Sequence, residues 1–154
     1  MRIFITTLLL LSASLFAQEE IKKKDWRFSV HLEDSGKNKF TFPVPLHGKN
    51  IPFSKSPIFT HKDIDRARVF KAADGSYGAV FRMEKHVAQR LYSTSSFSKG
   101  KRLVSMVMGR PVDIIEIDWA KQDRLFVVWK GMNYKEAEYI KEEIWTLKIE
   151  KKED

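Results

Sequence analysis

The chain contains no cysteine. That one absence excludes disulfides, thiolate nucleophiles, thiolate metal sites and the acylated cysteine of a lipoprotein anchor. Glycine is sparse, and no glycine-rich loop is present to cradle a phosphate, because Gly75 and Gly78 belong to a hairpin. Serines crowd residues 93–98, yet no G-x-S-x-G elbow accompanies them. The histidines His31, His47, His61 and His86 form no i, i+4 pair and no cluster with carboxylates at metal spacing. No metal and no cofactor are therefore expected. Beyond the first residues there is no long apolar run, so nothing in the remainder is expected to cross a membrane.

What is present begins with MRIFITTLLLLSASLFA, which reads as a secretory signal peptide. Arg2 precedes an apolar run from Ile3 to Phe16, and Ala17 supplies a small residue ahead of Gln18-Glu19-Glu20. The run is short against the roughly 20 apolar residues of a spanning helix. Cleavage near Ala17 and export to the periplasm are expected, with a retained N-terminal anchor or secretion as the alternatives. Export excludes most nucleotide-driven and cytosolic chemistry. A net charge of +8, spread over lysine groups at 22–24, 37–39, 99–102 and 148–152, favours anionic partners such as lipid headgroups, acidic glycans or acidic polypeptides. The same lysines also serve simply to keep a protein soluble. Nucleic acid is not an expected partner, since no nucleic-acid motif appears. Eleven Phe, four Trp and four Tyr supply a core that disulfides do not have to reinforce.

Residues 18–24 are charged and aperiodic, a tether. Trp26, Phe28, Val30 and Leu32 alternate with polar residues, as in a half-buried strand. A turn at 34–38 leads to a second extended segment, Phe40 to Leu46, which Pro43 and Pro45 confine to an edge or an irregular loop. These two strands predict an N-terminal hairpin, and 47–57, rich in Gly, Pro, Ser and Asn, reads as a linker. Thr60 and Asp63 are spaced to cap a short helix. Asp74-Gly75 predicts a hairpin between 68–72 and 77–83. Met83, Val87 and Leu91, with Ala88 and Tyr92, mark the apolar face of a helix over 84–95. Strands follow at 103–108, 111–118 and 125–129, and Asn133 with Glu136 caps a helix through Trp145 whose buried face is Ala137, Ile140 and Ile144. The expected fold is α+β over 57–145, a mixed or antiparallel sheet with two main helices in the order β-hairpin–α–β–β–β–α. An N-terminal appendage occupies 18–56, and a charged, frayed tail 146–154.

The segment Pro57 to Ile140 resembles the periplasmic head of SecD, an accessory membrane protein of bacterial Sec-dependent export. A proline leads into Thr60-His61-Lys62-Asp63-Ile64, then Ala67-Arg68-Val69, then Asp74-Gly75. Val80-Phe81-Arg82-Met83 stands where the family carries V-x-F-x-L, and Ala88, Leu91 and Ser95 match alanine, a bulky apolar residue and threonine of its helix. Gly100-Lys101-Arg102-Leu103 fits G-(K/R)-x-L, Gly109 fits the hairpin glycine, and Gly131, Asn133 and Glu136-Ala137 resemble G-x-F-T-x-E-E-A. Three departures stand out. Val87 replaces a helix glycine, Met108 an acidic residue, and Asp113-Ile114-Ile115 an S-A-P. SecD continues into membrane helices that couple export to the proton gradient. The resemblance implies a fold and a polypeptide-contacting surface, not the motor.

Three function classes follow. The leading expectation is a non-enzymatic, exported binding or assembly module that contacts a polypeptide or cell-envelope component. Its candidate surface is Trp119, Trp129 and Tyr134 with the basic turn Lys99, Lys101 and Arg102. Val127 and Trp129 should face away from Phe126 and Val128, leaving an aromatic edge open. The second is a hydrolase of an envelope polymer using Asp113, Glu116 and Asp118, of which Glu116 and Asp118 share a strand face. The third is a basic protein held to an anionic membrane surface, where binding falls with salt.

Overall fold

The computed structural model describes residues 27–118, 120 and 123–150, without the side chains of 143–150. The signal-peptide and tether expectations at 1–26, the tail at 151–154, the exposure of Trp119 and the burial of Ile144 lie outside the described residues. Residues 146–150, expected in the frayed tail, instead continue the C-terminal helix Tyr134–Glu150.

The elements run β1 (Phe28–Leu32), β2 (Thr41–Leu46), β3 (Lys49–Ser54), β4 (Phe59–Thr60), a 3-10 turn (His61–Asp63), β5 (Ile64–Lys71), β6 (Tyr77–Met83), α1 (Lys85–Phe97), β7 (Arg102–Val107), β8 (Arg110–Glu116), β9 (Leu125–Met132) and α2 (Tyr134–Glu150). They form three antiparallel sheets, ordered β4-β1-β7-β8, β2-β3 and β5-β6-β9. From β5 onward the order is the predicted hairpin, helix, three strands and helix, a SecD-head-like α+β fold.

Period-two patterning explains the layers. Phe28 and Val30 of β1 and Phe59 of β4 face Phe81 of β6 and Phe126 of β9, all buried. The rings meet across the two larger sheets, Phe28 with Phe81 at 4.7 Å and Phe59 with Phe126 edge-on at 5.1 Å. Each buried phenylalanine contributes roughly 1.5–3 kcal/mol by leaving water. Val87, Ala88, Leu91 and Ser95 bring α1 into this core, and Ile140 brings α2. Tyr92 was expected on that face but is 41% exposed. At 100° per residue it sits a quarter turn from the stripe, and Ser95 takes the buried place.

The N-terminal hairpin is present, but its strands are β2 and β3, joined at His47–Gly48 with both residues at positive φ. The segment expected to be a linker thus carries a strand. Its composition misleads because Pro52 lies directly opposite Pro43. Those prolines occupy the alternation whose backbone nitrogens point away from the ladder, so no rung is lost. Phe42, Val44, Ile51 and Phe53 then share one face and pack on Val104, Met106 and Ile114. β1 does not join β2. It lies between β4 and β7, pairing Phe28 with Val107 and Leu32 with Leu103. Instead of half-buried, it is covered on both faces, by the main core and by the hairpin. The expected helix after Thr60 is the single 3-10 turn. Its cap is the predicted one, with Thr60 N–H donating to Asp63 Oδ2 at 2.8 Å.

His31 fastens the hairpin to the sheet. It is 8% exposed, with Nδ1 2.8 Å from the Ser54 carbonyl, Nε2 2.7 Å from Ser29 Oγ, and its ring edge-on to Phe42. Nδ1–H therefore donates to the carbonyl, and Nε2 accepts from the hydroxyl. Burial lowers the His31 pKa below 6.5, against a smaller upward pull from the Ser54 carbonyl. The neutral ring is the stabilised form. Its contribution is complete above 6.5 and is lost as pH falls through the lowered folded value. Urea-unfolding midpoints should drop as pH falls below 6.5, and His31→Gln should flatten this part of the profile.

Candidate binding surface

The β5-β6-β9 sheet buries one face and presents the other. Ala67 and Val69 of β5, Ala79, Phe81 and Met83 of β6, and Phe126 and Val128 of β9 point inward. The alternate residues are Arg66, Arg68 and Phe70, then Gly78, Val80 and Arg82, then Leu125, Val127 and Trp129. Register sets Arg68 beside Val80 and Val127, and Arg66 beside Arg82 and Leu125. Trp129 is 61% and Leu125 43% exposed. Phe70 lies over Gly78, where an added Cβ would come within 2.4 Å of its ring. Arg82 pairs with Asp65 at 3.6 Å, whereas Arg66 and Arg68 make no ion pair among the described residues. The outward side is an apolar strip edged by guanidinium groups. Sequence reasoning finds Trp129 on the open side but misses the arginines. Their alternation is visible, but which face the helices cover is not.

The corner from β9 into α2 is held by backbone geometry. Gly131 has φ +93°, and a Cβ there would lie 2.0 Å from the Val112 carbonyl of β8. Its N–H donates to Ser76 Oγ at 2.9 Å, and that hydroxyl donates to Asp74 Oδ1 at 2.6 Å. Asn133 and Glu136 form the predicted reciprocal cap, each side chain accepting from the other's N–H at 2.9 and 2.8 Å. Arg110 completes it, donating to Gly131 O at 3.1 Å and to both Glu136 oxygens at 2.9 and 2.7 Å. Tyr134 then projects from the first turn of α2, 61% exposed, with its ring 6.0 Å from Tyr77.

The remaining candidates lie elsewhere. Lys99 and Lys101 are exposed on the turn between α1 and β7, beside Phe97, which is 90% exposed. Arg102 is engaged by Glu33, which accepts its backbone N–H at 2.9 Å and its guanidinium at 3.4 Å. Arg102 pairs with Glu116 at one end of β8, while Arg110 at the other end meets the Tyr134 corner. At about 3.3 Å per residue the two groups are roughly 20 Å apart, so the basic turn and Tyr134 do not form one patch.

The carboxylates also separate. Asp113 Oδ2 accepts the Trp129 N–H at 2.7 Å, closing the outer side of β9. Burial raises its pKa, opposed by the Trp129 and Ile114 N–H groups and the Lys130 charge. Glu116 and Asp118 are exposed near the far end of β8. Among the described residues, no group of three or more His, Cys, Asp or Glu is placed to hold a metal ion. No helix there is long and apolar enough to cross a membrane.

No protein-family model matches the sequence, and no curated protein matches it. Solved structures do. The fold is similar to SecDF, described as a membrane component that enhances protein export, with TM-score 0.54 and 17% identity, covering 74% of this chain and 59% of that one. A structure of SecDF in a super-membrane-facing form matches with TM-score 0.55 and 16% identity, over 74% of this chain and 18% of that one. The chain thus spans a part of each, and the likeness is one of fold.

Two outcomes test this description. Gly131→Ala should destabilise by ~3 kcal/mol or more in urea unfolding, since the positive φ alone costs about 1–2 kcal/mol before β8 is pushed away. Asp113→Asn keeps an oxygen for the Trp129 N–H without a partly buried charge. Because the folded pKa is raised, the Asp113 contribution is complete below 3.8 and lost as pH rises through the folded value. The Asn variant should therefore melt at or above wild type at neutral pH, and that gain should vanish well below 3.8.

Proposed function

We propose that this protein is an exported, non-enzymatic module that acts in the periplasm and binds a polypeptide, or another cell-envelope component, through the outward face of β5-β6-β9. The observation that carries the reading is the exposure of Trp129 and Leu125 beside Val127 and Val80 on a sheet face that helices leave open. Contiguous apolar surface of this kind marks interaction sites, and tryptophan and arginine are the side chains that most often dominate binding energy. Similarity of fold to a component that enhances protein export supports a polypeptide partner. Trp129 is the central contact in this reading. Tyr134 extends the surface at one end, while Lys99 and Lys101 contribute long-range attraction rather than direct contact.

A second reading rests on Phe97. A ring 90% exposed between helix end and lysine turn suits insertion at an anionic membrane surface. One titration separates the two. A reduced, permanently unfolded model protein is titrated against residues 18–154 at low and high salt, with vesicles containing anionic lipid in parallel. Trp129→Ala should weaken polypeptide binding about tenfold or more, a loss that persists at high salt. Lys99→Glu with Lys101→Glu should weaken it at low salt only, the difference vanishing at high salt. Salt-labile vesicle binding lost in the lysine variant, with Trp129→Ala silent, favours the membrane reading instead.

A further inference from the structure

The sheet edges of this fold are unequally protected. β4 is two residues long. β2 carries Pro43 and Pro45, β3 carries Pro52, and β8 carries Pro111. The outer side of β9 is occupied by β8, through Asp113 on the Trp129 N–H and Val112 against Gly131. β5 is different: it has eight residues, no proline, and β6 as its sole paired strand among the described residues. α2 packs on β5, and Ala67 and Val69 join the core that includes Ile140. Alternate backbone N–H and C=O groups on the far side of β5 therefore face outward, as at any unpaired edge.

We propose that β5 is a docking edge for an extended polypeptide strand bearing acidic side chains at alternate positions. The proposal rests on the reading above that the protein contacts polypeptides, and it names the class of segment and where that segment lies. Charge selects the occupant. Arg66 and Arg68 project to the open face at alternate positions, exposed and without an ion pair among the described residues. A strand added beside β5 places every second side chain roughly 5 Å from one of them, where a carboxylate pairs and a lysine is repelled. A second copy of β5 fits poorly, because antiparallel pairing about Ala67 sets Arg66 against Arg68. Main-chain hydrogen bonds supply the affinity and the alternate charges the register, as in other strand-addition complexes. The intervening side chains of the guest lie toward the α2 side and should be small and apolar.

Edge cations also serve to block self-pairing, so the test must separate a docking edge from a merely protected one. Three octapeptides are titrated against the full chain: alternating Glu-Val, alternating Lys-Val, and Glu-Val with alternate amides N-methylated. The Glu peptide should bind, with the Lys peptide and the N-methylated peptide each at least about tenfold weaker. Amide exchange should slow within β5 when the Glu peptide is present. Arg66→Glu with Arg68→Glu, two exposed positions whose replacement leaves the core intact, should reverse the preference toward the Lys peptide. Equal binding of the N-methylated peptide, or a preference untouched by the arginine changes, overturns strand addition at β5. If no octapeptide binds while the unfolded model protein still binds through Trp129, the edge assignment fails and the wider reading stands. If nothing binds, both fail.

Discussion

Four phenylalanine rings at the junction of two sheets are the constraint on which the structure depends. Phe28 and Phe59 come from one sheet, Phe81 and Phe126 from the other, and none is more than 1% exposed. Removing one ring from such a site costs about 3–5 kcal/mol, comparable to much of the net stability of a small domain. With no cysteine to staple the fold, this packing fixes how the sheets face each other. That in turn decides which side of β5-β6-β9 is buried and which is left to solvent. The open arginine and tryptophan face is a consequence of where the phenylalanines point.

The second organising contact is the seam between β8 and β9. Gly131 lets the Val112 carbonyl approach, Asp113 caps the Trp129 N–H, and Arg110 ties the start of α2 to the same place through Glu136. The seam uses one side of β9 and leaves the three-stranded sheet with β5 as its exposed margin. Asp113, one of the three carboxylates considered for hydrolysis, is engaged in this seam through the Trp129 N–H.

How well the sequence foretold these features follows from how local each one is. The Asp74-Gly75 turn, the Thr60–Asp63 and Asn133–Glu136 caps, and the 87, 88, 91 stripe are written within a few residues, and each appears where expected. β1 is a different case. Its alternation is plain, but its partners are Phe59 and Thr60 on one side and residues 103–107 on the other. No turn signal announces those pairings. The β2–β3 hairpin was obscured because proline carries two meanings, and only the register shows that Pro43 and Pro52 face each other harmlessly. At the surface, the period-two rule finds Trp129 but cannot collect Arg66, Arg68 and Arg82 onto one face. That grouping exists only once three strands are aligned.

The placement of β1 also has a bearing on time. It is the first described strand in the chain, yet its longest ladder is with β7, Phe28 against Val107. A polypeptide that is synthesised, or threaded through a pore, from its N-terminus presents β1 long before β7 exists beside it. Until then β1 has only the two-residue β4 to pair with, and the hairpin that covers His31 lacks Val104 and Met106 to pack on. The β5–β6 and β6–β9 ladders close shorter loops than Phe28 against Val107, so contact order favours their forming first. β1 is thus held by the strand ladder of longest sequence separation among the described residues.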